Sequence, residues 1–145
     1  MIRVKDAKAS LKWYQEVLGM TLLDESDYGD FSLYFLAFVT EDEKSLSTEE
    51  LSKTKFARQG VLELTHNHGT ESDSTFAGYS SGNTEPGRGF GHIAICVPDV
   101  QAACDHFDKM EVNYKKRLTD GKMRNIAFIL DPDGYWVEIV PAGGL

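Results

Sequence analysis

The sequence predicts an α+β fold built from two β-α-β-β-β modules that form a curved mixed sheet. Three observations predict it. Short runs alternate with a period of two, as where Ile93, Ile95 and Val97 interleave with His92, Ala94 and Cys96. Two stretches of helical spacing each follow an aspartate suited to an N-cap, Asp6 and Asp99. The two halves also repeat: Val4-Lys5-Asp6-Ala7 aligns on Val97-Pro98-Asp99-Val100, and Val61–Leu64 aligns on Trp136–Ile139.

In chain order, Met1–Val4 is the remnant of a first strand. A helix follows, with Ala7, Leu11, Tyr14 and Leu18 on one side and Gly19 at its C-cap. Met20–Leu23 starts a strand, Asp24–Asp30 reads as a polar loop, and Phe31–Phe38 is the most apolar strand. From Thr40 to Gln59 the chain is charged and poor in apolar residues, an expected exposed excursion. Ser47 with Glu50 three residues later is placed to cap a short helix there. Val61–Thr65 closes the first module, residues 1–65.

Residues 66–87 are rich in Gly, Ser, Thr and Asn and read as a connector. The second module, residues 88–140, repeats the plan. A strand runs to Val97, and a helix after Asp99 turns Val100, Ala103, Phe107 and Met110 to one side. Strands follow at Tyr114–Leu118, Asn125–Leu130 and Tyr135–Val140. Asp120-Gly121 and Asp131-Pro-Asp-Gly134 are the turns between them.

With 145 residues the chain suits one compact domain. Its formal net charge of −8 argues against a nucleic-acid partner, and an anionic ligand would need a local basic cluster. No apolar run approaches a membrane span, and the start does not read as a signal peptide. Cys96 and Cys104 are expected to be two reduced, buried thiols, which points to the cytoplasm.

The candidate chemistry lies on three strands. Val61–Thr65 buries Leu62 and Leu64 and turns Glu63 the other way. Tyr135–Val140 buries Val137 and Ile139 and does the same with Glu138, the repeat equivalent of Glu63. His92 opens a strand whose second face is otherwise small. A lone carboxylate on an apolar strand is costly to bury without a partner. One imidazole and two such carboxylates point to a hard or borderline metal ion. His66 and His68 alternate at a strand end and read as loop residues, while His106 falls on a polar helix face.

Several stretches together resemble glyoxalase I (lactoylglutathione lyase), of the vicinal-oxygen-chelate superfamily. They are Arg3–Asp6, Leu18–Met20, Phe31–Phe35, Leu62–Asn67, Arg88–His92, Asp120–Met123 and Asp131–Trp136. The resemblance covers nearly the whole chain, and the long loops are similar to those of the zinc-dependent eukaryotic form. It implies metal ligation by Glu63, His92 and Glu138. The family's fourth ligand, a glutamine, maps two positions ahead of Met1 and cannot be carried over onto this chain.

The resemblance also implies a substrate and a mechanism. The substrate is the hemithioacetal of glutathione and a 2-oxoaldehyde such as methylglyoxal. Glu138 would move a proton from C1 to C2, with Glu63 serving the opposite substrate face, and a Zn2+ ion held by the ligands would supply Lewis acidity to the charge that develops. The glutathione carboxylates are expected at Arg3, Asn67, Arg88, Lys116 and Lys122, which singly would be ordinary surface groups. The apolar end is expected at Leu33, Phe35, Met123 and Phe128. A homodimer is implied, with each metal site shared between chains. The alternative is a truncated, weakly active or non-catalytic protein that binds a metal or a thiol adduct on the same fold.

Overall fold

The computed structural model describes residues 1–144. The chain divides into two compact units, Met1–Tyr79 and Ser80–Leu145. Each is a four-stranded mixed sheet with a helix between its first and second strands. Among the described residues no helix is long and apolar enough to cross a membrane.

In the first unit the elements are β1 (Ile2–Val4), α1 (Ala7–Glu16), β2 (Thr21–Asp27), β3 (Phe31–Ala37), α2 (Thr48–Thr54) and β4 (Leu62–Asn67). The sheet order is β1-β4-β3-β2, with β1 parallel to β4 and the other pairs antiparallel. The Asp6 carboxylate accepts from the Ala9 amide at 3.1 Å and caps α1. Gly19, at φ +75°, ends it: the Met20 amide turns back to the Tyr14 carbonyl at 3.1 Å. Helix α1 buries Ala7, Ser10 and Tyr14, whereas Leu11 and Leu18 are only half-buried. Val4, Leu36 and Leu64 complete that core and are fully buried.

Two expectations change here. The polar stretch Asp24–Asp27 is not loop but the second half of β2, paired with β3 from Asp24↔Phe35 to Asp27↔Ser32. A bulge between Leu22 and Asp24 re-aims the strand. Charged residues fit this position because β2 is the sheet edge. The second change concerns the excursion after β3: most of its residues are exposed, as expected, but it is also docked on the sheet. Helix α2 forms behind the Ser47–Glu50 capping box. Its Leu51 is buried against Leu23, Phe35 and Ala37. Ser52 Oγ donates to Asp24 Oδ1 at 2.7 Å, and Lys55 Nζ pairs with Asp24 Oδ2 at 2.9 Å.

The second unit contains β5 (His92–Val97), α3 (Val100–Lys109), β6 (Tyr114–Lys116), β7 (Ala127–Leu130) and β8 (Trp136–Pro141). Its order, β5-β8-β7-β6, is the first unit's order over again. Registers agree as well: Ile2 faces Leu64 as Ile95 faces Ile139. Asp99 caps α3 through the Ala102 amide at 3.0 Å. Helix α3 buries Val100, Cys104 and Phe107, while Met110 is exposed. Cys104 is therefore buried as expected, but Cys96 is exposed. The reason is parity: Cys96 shares the open face of β5 with His92 and Ala94.

Candidate functional site

The second unit brings together two of the three candidate ligands. Residues alternate across β8, so Val137 and Ile139 enter the core while Trp136, Glu138 and Val140 take the other face. The turn before β8 sets that parity. Asp131 Oδ1 accepts from the amides of Asp133 and Tyr135 at 3.0 and 2.8 Å, and Gly134 closes the turn onto the Asp131 carbonyl. In the parallel β5–β8 ladder His92 lies opposite Trp136, and Glu138 opposite Ala94. His92 Nε2 still reaches Glu138 Oε2 at 3.2 Å. Phe128, opposite Glu138 on β7, meets the imidazole edge-on at 5.1 Å and Trp136 at 5.8 Å.

That separation suits a metal ion. Donor–metal bonds of about 2.0–2.2 Å place two donor atoms roughly 2.8–3.6 Å apart, from right-angled to tetrahedral geometry. A neutral imidazole and a carboxylate are both ligands for borderline divalent metals. Among the described residues no cluster of three His, Cys, Asp or Glu side chains has ligand geometry, so the structure supplies a pair.

The first unit presents an equivalent face. Glu63 lies opposite Phe35, Thr65 opposite Leu33 and Arg3, and Asn67 opposite Phe31. Glu63 is half-buried on this face. Phe35 is enclosed: Phe56 meets it edge-on at 5.4 Å and Lys55 Nζ sits 5.4 Å from its centroid. Leu33 is half-buried.

The remaining candidates are placed as follows. Tyr79 donates to Asn67 Oδ1 at 3.3 Å, leaving the amide nitrogen as the donor an anion needs. Arg88 is exposed and pairs with Glu85 at 2.7 Å. Lys116 lies opposite Phe128, but its ammonium is held by the carbonyls of Arg117, Met123 and Ile126. Lys122 and Met123 are exposed in the same loop. His66 belongs to β4 and pairs with Glu71 at 2.9 Å. His68 Nδ1 donates to the Gly29 carbonyl at 3.0 Å, and its Nε2 shares a hydrogen bond with Ser32 Oγ at 2.8 Å. These two histidines join strand ends to turns.

The Glyoxalase/Bleomycin resistance protein/Dioxygenase superfamily model matches residues 1–139. The chain belongs to that superfamily. Lactoylglutathione lyase of Pseudomonas putida is 52% identical over 97% of this chain and 81% of the relative. The enzyme of the same name from Pseudomonas aeruginosa is 54% identical over 98% and 80%. Among solved structures, the trypanothione-dependent glyoxalase I of Leishmania major superposes with a TM-score of 0.67 at 32% identity, covering 99% of this chain and 84% of that one.

Within the superfamily fold, the sequence pattern had singled out Glu63, His92 and Glu138 by strand parity. It missed residues outside the sheets that touch the neighbours of these three: Tyr79 donates to Asn67, Asn83 to the Gly91 carbonyl, and Lys55 and Phe56 lie against Phe35. Asn83 and Tyr79 lie in the stretch read as a connector. Lys55 and Phe56 lie in the stretch read as an exposed excursion. Only a polar or aromatic residue standing out in such a run could have marked them, and many such residues there do nothing comparable.

Proposed function

We propose that this protein is a lactoylglutathione lyase, which converts the hemithioacetal of glutathione and methylglyoxal to S-D-lactoylglutathione. The reading is carried by the His92–Glu138 pair at 3.2 Å, a metal-donor pair in a chain half-identical to two lyases of that name. The metal is proposed to be zinc, held by His92, Glu138 and Glu63. When bound, it supplies Lewis acidity to the two adjacent substrate oxygens.

The chain's residues supply the rest. Glu138 is proposed as the base: it takes the C1 proton, the C–H electron pair forms a C1–C2 double bond, and the C2 carbonyl pair moves onto the C2 oxygen. The same carboxyl returns the proton to C2; the C1 hydroxyl gives up its proton as C1 becomes the thioester carbonyl, and the C2 oxygen takes one up to become the new hydroxyl. The carboxylate must reach both carbons, which favours a side chain fixed on a strand. Glu63 is its counterpart for the other substrate face. Arg3, Asn67, Arg88, Lys116 and Lys122 are proposed to meet the glutathione carboxylates. For Lys116 this requires exchange of its carbonyl partners for a carboxylate. Leu33, Phe35, Met123 and Phe128 are proposed to line the apolar end.

The proposal extends to a cytoplasmic homodimer in which Glu63 and the His92–Glu138 pair of one site come from different chains. The decisive experiment is an isomerisation assay on the purified protein with the hemithioacetal, before and after chelation. Turnover that chelator abolishes and Zn2+ restores is expected. A zinc-loaded protein that binds the adduct without turning it over overturns the lyase reading in favour of a binding protein. Mixing Glu63→Ala and His92→Ala chains tests the shared site: mixed dimers with one intact site regain activity, and inactive mixtures exclude it.

A further inference from the structure

We infer that Asn83, with Gly82 beside it, positions His92 for metal binding; the inference rests on the ligand role proposed for His92. His92 is the first residue of β5, and its side chain is 39% exposed. The chain enters it through Gly89-Phe90-Gly91, and glycine is the residue with most conformational freedom to lose. An entry of that kind leaves the backbone before His92 free to vary unless something restrains it.

The restraint is a two-point clamp from the loop just upstream. The Gly89 amide donates to the Gly82 carbonyl at 3.0 Å. Asn83 Nδ2 donates to the carbonyl of Gly91, the residue directly before His92. Asn83 is itself held, its amide donating to Ser81 Oγ at 3.3 Å. Gly82 has φ +69°, and a Cβ there would lie 2.0 Å from the Phe90 carbonyl oxygen, so only glycine permits the approach. With both glycines of the entry tied down, the peptide plane between Gly91 and His92 is fixed. That plane sets the direction in which the His92 side chain leaves the strand.

The clamp buries little. Phe90, between its two points, is 62% exposed. Its removal therefore acts on the first residue of β5 more than on the core. Groups that orient a metal ligand change metal affinity by about ten- to a hundredfold when removed.

The test uses the full chain carrying Asn83→Ala or Asn83→Asp, the second keeping the volume and lacking the donor. Zn2+ is titrated against a chromophoric chelator, and thermal unfolding is followed in metal-free protein. Both variants are expected to bind Zn2+ about tenfold more weakly with metal-free melting unchanged, and Asn83→Gln to recover part of the loss. Unchanged zinc affinity in both variants overturns the clamp. So does a fall in affinity matched by a fall in metal-free melting temperature, which would mark a purely structural role. His92→Ala is the control: if it leaves zinc affinity unchanged, the ligand reading fails and the clamp with it. A weakened His92→Ala beside an unchanged Asn83→Ala refutes the clamp alone.

Discussion

His92 Nε2 lies 3.2 Å from Glu138 Oε2 although the two residues are diagonal, not opposite, in the β5–β8 ladder. The ladder alone would pair His92 with Trp136. The contact needs the full length of the glutamate side chain, leaning along the strand to reach the neighbouring one.

Glu138→Asp withdraws the carboxylate by one methylene while keeping its charge. Zinc content after dialysis should fall below that of the parent. Turnover should drop by about 10²- to 10⁴-fold, because a shortened base no longer spans both substrate carbons. Steady-state assays with parallel metal analysis measure the two losses. Unchanged turnover would remove Glu138 from the role of base.

The docking of α2 should depend on pH. Burial works to raise the Asp24 carboxyl, but Lys55, Ser52 and Ser26 outweigh it and hold it below its ordinary value. A group whose folded pKa is depressed stabilises the fold above its unfolded pKa, near 3.9, and loses that contribution as pH falls through the folded value. Urea unfolding from neutral pH to about pH 3 should show this loss in the parent and less of it in Asp24→Asn. At neutral pH that variant should be weaker by about 1–3 kcal/mol.

Leu51→Ala tests the same docking without charge. Leu51 is 4% exposed in its cluster. The variant should lose about 2–3 kcal/mol by denaturant titration. A loss near zero would show that Leu51 does not anchor α2.

Lys116→Met removes the donor to three carbonyls around the loop from Arg117 to Ile126. Trypsin should then cut faster at Lys122 and Arg124, both exposed, with little change in melting temperature. If the same ammonium serves a glutathione carboxylate, KM should rise more than kcat falls. Proteolysis at the parental rate would show that the loop is held by other means.

The two thiols should separate kinetically. Cys96 is exposed, whereas Cys104 is buried and its thiol pKa is raised by desolvation. A soluble thiol reagent should modify one cysteine per chain quickly and the second only on unfolding, as mass spectrometry of the labelled peptides would show. Rapid labelling of Cys104 would contradict the packing of α3.

Much of this architecture is local information. Asp6, Asp99 and the Ser47–Glu50 box cap their helices because a side-chain oxygen and a free amide lie within a few residues. Glu63 and Glu138 point away from the core because alternation is a property of the strand itself. The repeat then carries one module's plan to the other. Where partners come from far along the chain, the pattern misleads. Asp24–Asp27 has a loop's composition, and pairing with β3 makes it strand. One leucine, Leu51, was too little periodicity to announce a docked helix. Lys116 reads as a free surface charge until its loop folds back over it.

The sequence by itself therefore determined the two like modules, the capped helices, and the faces on which His92, Glu63 and Glu138 stand. Each follows from spacings of a few residues, which backbone geometry converts directly into direction. Only the tertiary structure decided that His92 and Glu138 meet, that α2 is anchored through Asp24, and that Asn83 grips the carbonyl before His92. Those contacts depend on where the chain returns in space, and no short-range periodicity encodes that.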